Sequence, residues 1–82
     1  MGGEGDDRIR VAIRRRAEAR TPATFCPSEV ARELAEDWRP MMPAVRAAAA
    51  AMPDIVATQG GEPVDAVAAR GPIRLALRDG AS

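Results

Sequence analysis

"IRLALR", residues 73–78, alternates strictly, with Ile73, Leu75 and Leu77 on one side of an extended chain and Arg74, Ala76 and Arg78 on the other. A helix would scatter those three apolar side chains around its axis, so the period of two predicts a half-buried strand. Upstream, residues 55–59 alternate as well, Ile55, Ala57 and Gln59 against Val56 and Thr58, before Gly60 and Gly61 turn the chain. The intervening "GGEPVDAVAARGP", residues 60–72, is too long for a tight hairpin, and its glycines and prolines suit an extended flap. The C-terminal third is therefore expected to be a β-hairpin wing.

Before residue 54 the period is helical. Asp6 and Asp7 supply a cap and favourable charge to a first helix in which Ile9, Ala12, Ile13 and Ala17 share one face and Arg8, Arg10, Arg14 and Arg15 the other. It runs to about Ala19, because Pro22 biases Thr21 away from helix. "ATF", residues 23–25, reads as a short extended piece that takes Phe25 into the core. In "CPSEVARELAE", residues 26–36, Cys26 falls at the N-cap, Pro27 at the first helical position and Glu29 where its charge meets free N–H groups. Val30, Ala31 and Leu34 form the buried stripe of this second helix, with Arg32, Glu33 and Glu36 in water. A third helix lies in "DWRPMMPAVRAAAAAMP", residues 37–53, with Asp37 as its cap. An interior proline costs about 3 kcal/mol, so Pro43 predicts a turn at Trp38–Met42 and a regular helix from Pro43 to Met52. Trp38, Met42, Val45, Ala49 and Met52 are its expected buried residues.

Helix, short strand, helix, helix, strand, flap, strand is the order of a winged helix-turn-helix, an α+β fold of three helices and a C-terminal β-hairpin wing. One domain is expected over residues 6–78, flanked by disordered tails at 1–5 and 79–82.

Twelve arginines balance twelve acids, so no global field draws the chain to nucleic acid or to an anionic membrane. The charge is uneven along the chain. Residues 1–20 carry six arginines against Glu4, Asp6, Asp7 and Glu18, a net +2, whereas residues 21–37 carry Arg32 against Glu29, Glu33, Glu36 and Asp37, a net −3. Arginine without lysine would suit bidentate phosphate or guanine contacts, but the accompanying enrichment in Ala, Gly and Pro is better read as the composition of a GC-rich genome. With one cysteine and no histidine, disulfide scaffolds, Cys/His zinc sites and histidine-based nucleophile pairs are all excluded. Neither a secretory leader nor a long apolar run is present, so a cytoplasmic protein without membrane, metal or cofactor is expected.

Several ordered stretches carry a resemblance. "CPSEVAR" (26–32), "DWR" (37–39), "VRAAA" (45–49), "TQ" (58–59), "PVD" (63–65) and "GPIRL" (71–75) together resemble the small bacterial domain of unknown function 3253 family, from about Ile9 to Leu77. The resemblance implies a winged-helix-like fold and no established activity or site residues. One departure is that the family's third helix continues through a leucine to a glycine, where this chain has "AAAAAMPDIV".

For a winged helix the leading reading is weak nucleic-acid binding through the backbone, using Arg39 and Arg46 around the third helix and Arg70 and Arg74 leaving the flap, with Thr58 and Gln59 entering it. The alternative is a protein-protein interaction or dimerisation module. "VRAAAAAM", residues 45–52, favours close packing over base readout, since methyl groups offer no hydrogen bonds to base edges. Arg14–Arg16 read as a solvated helix face, Cys26 as a half-buried cap, Trp38 as part of the core and "GGEP" as a turn. Glu33 and Asp37, one helical turn apart on an exposed face, keep ordinary carboxylate behaviour, and no enzyme is expected.

Overall fold

The computed structural model describes residues 3–78. Among them, three α-helices and a three-stranded antiparallel sheet form an α+β arrangement compatible with a winged-helix-like fold. Helix α1 spans Gly3–Arg20, α2 Pro27–Leu34 and α3 Met42–Ala51, with a single 3-10 turn, η1, at Arg39–Met41. The strands are β1 (Ile55–Gln59), β2 (Glu62–Val64) and β3 (Arg74–Leu77), in the sheet order β2-β1-β3.

The helical stripes bury the expected residues. Ile9, Ala12, Ile13 and Ala17 of α1 meet Val30 and Ala31 of α2 and Val45, Ala49 and Met52 at α3, and Phe25, Ile55, Ala57, Ile73 and Leu75 close the core from the sheet side. Leu34, Trp38, Met42 and Leu77 are partly buried against it. Most large side chains are spent here. Val11 and Val67 are the large apolar residues left exposed among the described residues.

Charge asymmetry along the chain becomes attraction between helices. Arg16 pairs with Glu29 at 3.2 Å and Glu33 at 2.8 Å, and Arg20 pairs with Glu29 at 2.7 Å, so the positive face of α1 is joined to the negative face of α2. Arg14 pairs with Asp54 just before β1, and Arg10 with Asp7 on its own helix. Two of the three consecutive arginines thus brace α1 against neighbouring elements instead of facing water alone.

Helix α2 starts as its sequence predicts, with Pro27 in the first turn and the Cys26 N–H donating to the Glu29 carboxylate at 3.1 Å. The third helix also follows the proline argument. Pro43 sits in the first turn of α3, where no intrahelical donor is required, and the expected turn at Trp38–Met42 is the 3-10 segment. Trp38, not Asp37, holds the N-cap of that segment, and α3 starts at Met42.

Two expectations need correction. Helix α1 begins at Gly3, ahead of the Asp6–Asp7 cap, so residues 3–5 are helical and not part of a tail; residues 1–2 and 79–82, also expected as tails, lie outside the described residues. The two expected wing strands pair with each other, but the flap between them, expected to be simply extended, adds a third strand. Gly60 and Gly61, at φ 60° and 86°, make a tight two-residue turn of type I′ geometry, and the flap returns at once as a third strand pairing Gln59 with Glu62, Thr58 with Pro63 and Ala57 with Val64. Only then does the chain cross to β3, which pairs with the other side of β1 in the register Ile55–Leu77 to Thr58–Arg74.

The sheet edges follow from this register. In a two-residue hairpin the flanking pair Gln59–Glu62 exchanges hydrogen bonds, so the next pair, Thr58–Pro63, points its backbone groups away from each other. Pro63 therefore lacks an N–H at a place where β1 does not need one. At the other edge the backbone groups of Leu75 face outward and are taken by Phe25, which donates to the Leu75 carbonyl at 2.8 Å and accepts from its N–H at 2.7 Å. This bridge is how the short extended piece delivers Phe25 to the core.

Candidate functional site

Trp38, Met42 and Arg46 follow one another at four-residue steps, from the cap of η1 onto one flank of α3. With Cys26, Pro27 and Ser28 at the start of α2 and Gly71, Pro72 and Ile73 of the flap, they enclose a groove of about 340 Å³. A second hollow of about 270 Å³ continues past Met42 and Arg46 to Pro43 and Val67. The two hollows adjoin at Met42 and Arg46, between α3 and the flap.

The flap is held in place as the groove's wall. Arg46 Nη2 donates to the Gly71 carbonyl at 2.9 Å, while Gln59 Nε2 donates to the Pro72 carbonyl at 3.2 Å and to that of Arg70. Three consecutive carbonyls are thereby satisfied by side chains from α3 and β1, and Gly71 supplies the positive φ of 85° that the bend requires. At the flap's tip, Asp65 Oδ1 accepts from the Val67 N–H at 2.8 Å and the Ala68 N–H at 3.2 Å, a local turn that leaves the Val67 side chain 60% exposed beside Pro43.

Trp38 is half-buried and lies under two cations. The guanidinium carbons of Arg32 and Arg39 stand 4.6 and 4.7 Å from its ring centroid, contacts worth about 0.5–1 kcal/mol each at exposed sites. Arg32, expected only to face water, thus belongs to this surface. The indole covers one end of the core and presents its remainder to the groove.

Of the four arginines predicted as nucleic-acid contacts, Arg46 lines this groove and Arg39 lies over the Trp38 ring at its margin. Arg46 is already engaged with Gly71, and its Nε is buried without a partner. Arg74 extends from the opposite face of β3 and is held by Thr24, through Nε to Oγ1 at 2.9 Å and Nη2 to the carbonyl at 3.1 Å. Arg70 has an exposed side chain on the flap, with its carbonyl held by Gln59. Gln59, read as a group that enters the flap, is instead the clamp that sets its position.

Among the carboxylates, Glu29 is held below the usual carboxylate range, chiefly by the hydrogen bond from the Cys26 backbone and then by Arg20 and Arg16, against an opposing effect of burial. It faces α1, away from the groove. Among the described residues no three acidic or cysteine side chains gather as a metal would require, and no helix is long and apolar enough to cross a membrane.

Residues 6–78 match the family described as "Protein of unknown function (DUF3253)". The chain belongs to this family. The matched span contains α2, η1, α3, all three strands and most of α1, so every wall of the groove lies inside the DUF3253 region. No curated protein matches the chain.

Proposed function

We infer that the chain is a non-catalytic binding module and that the α3–flap groove receives a protein partner. One observation carries this reading: two adjoining hollows that share Met42 and the half-buried Arg46 present a half-buried Trp38 and Pro72 on one side and Pro43 and an exposed Val67 on the other. Aromatic, methionine and arginine side chains are the residue types that concentrate at protein interfaces. The carboxylates of α2 that could serve acid–base chemistry are instead committed to Arg16 and Arg20.

The nucleic-acid reading is less well supported by the same geometry. Arg46 and Arg74 spend donors on Gly71 and Thr24, and Arg39 lies over Trp38. The outer residues of α3, Ala44, Ala47, Ala50 and Ala51, are exposed methyl groups with nothing to offer a base edge.

A random peptide display library panned on the chain is expected to yield binders that Trp38→Ala no longer retains, while a fluorescent random DNA duplex at low salt shows no change in anisotropy. Failure to enrich any peptide removes the reading. Duplex binding that weakens with salt at a slope of about −0.9 per neutralised phosphate, and that Arg46→Ala reduces, would replace it with the nucleic-acid alternative.

A further inference from the structure

The groove's ionic groups are of one sign although the molecule is neutral. Arg46 is the charged side chain lining the two hollows, and Arg32 and Arg39 cover the Trp38 ring at their margin. The acids that would cancel this charge are turned elsewhere: Glu29 and Glu33 to α1, Asp54 to Arg14, and Asp65 to the flap's own N–H groups. Glu36 and Asp37 are exposed in the preceding loop and line neither hollow.

We propose that the groove recognises an acidic, apolar-bearing segment of another protein, with a carboxylate placed against Arg46 and a neighbouring apolar side chain in the hollow of Met42, Pro43 and Val67. This rests on the protein-binding reading above and specifies its ligand. A guanidinium carries five donors, and the bond to Gly71 fixes the position of this one without exhausting it. Pre-positioning reduces the entropy that a carboxylate would otherwise lose in immobilising a long side chain. Met42, unbranched and polarisable, adapts to the shape of the apolar side chain. Phosphodiester chains fit the same surface poorly, since Pro43, Val67 and Pro72 offer a run of successive phosphates no further donors beside Arg46, and an indole under two guanidinium groups is no free platform for a base.

The test is an array of short peptides pairing Asp or Glu with Leu, Ile or Phe, beside the same peptides with Lys or Ala in place of the acid. Bound peptides are then titrated in solution against the fluorescence of Trp38, the single tryptophan of the chain. Acidic-apolar peptides are expected to bind and their Lys and Ala counterparts not, with Arg46→Gln and Val67→Asp each weakening the interaction about tenfold or more. Val67→Asp alters an exposed side chain and leaves the fold intact, so loss of binding in that variant reports on the groove. Equal binding of peptides without acids overturns this specificity while leaving a protein-binding groove in place. Binding of duplex DNA with no binding of any peptide overturns both.

Discussion

Glu29 gathers three donors on one carboxylate, accepting from the Cys26 N–H at the start of α2 and from Arg16 and Arg20 of α1. Its folded-state pKa is depressed, chiefly through the Cys26 hydrogen bond. A depressed carboxylate stabilises the fold above its unfolded-state pKa, and the contribution is lost as pH falls through the lower, folded value. Glu29→Gln should therefore cost on the order of 1 kcal/mol at neutral pH and flatten the acid limb of stability, so that wild type and variant converge below the ordinary carboxylate range. Urea denaturation followed across that range measures both effects. Equal acid sensitivity in the two proteins would assign the acid limb to other groups.

At the scale of the elements, the turn between β1 and β2 isolates a backbone effect. A Cβ added at Gly60 or Gly61 meets nothing within 4 Å, so substitution there tests conformation and not packing. Gly61→Val, at φ 86°, should cost roughly 1–2 kcal/mol, whereas Gly60→Asn, at φ 60°, should be nearly neutral because asparagine tolerates the left-handed region. Thermal melts of the two variants give the comparison. That turn also explains what local sequence could not reveal. The helices and the β1–β3 pair were legible because burial follows the period of the backbone: Ile9, Ala12, Ile13 and Ala17 at helical spacing, Ile73 and Leu75 at alternate positions. Strand β2 is three residues with a proline in the middle, and its pairing is decided by two glycines, so no alternation marks it. The groove was half legible. Arg46 stands out in the sequence, but its bond to Gly71 spans 25 residues, as that of Arg74 to Thr24 outside the groove spans 50, and no local pattern announces such partners. The stripe Trp38, Met42, Arg46 has helical spacing, yet Pro40 and Pro43 interrupt the run that would have drawn attention to it.

For the whole molecule, a small core makes each large side chain count. Leu75 is fully buried and its backbone carries the bridge to Phe25, so truncation leaves a cavity at the seam between sheet and helices. Leu75→Ala should cost about 2–5 kcal/mol, a large share of the total stability of a domain this size, and urea denaturation should show it largely unfolded or close to its midpoint under mild conditions. Val67→Ala, on an exposed side chain, should leave the same curve unmoved. The contrast separates residues kept for folding from residues available to a partner.

Pro63 bears on a different hazard. An outer strand whose donors and acceptors stand open is a template onto which a neighbouring chain can add itself, and then another, without limit. With one donor deleted from the outward side of β2, that addition loses a rung at the middle of a three-residue strand. Pro63→Thr would restore the rung without disturbing the hairpin, and the predicted consequence is turbidity on heating at a protein concentration where the parent stays clear. Light scattering during a thermal ramp would register it. Whatever the groove captures, the chain is thus protected from stacking onto copies of itself through its sheet, and a specific encounter is left to the side chains.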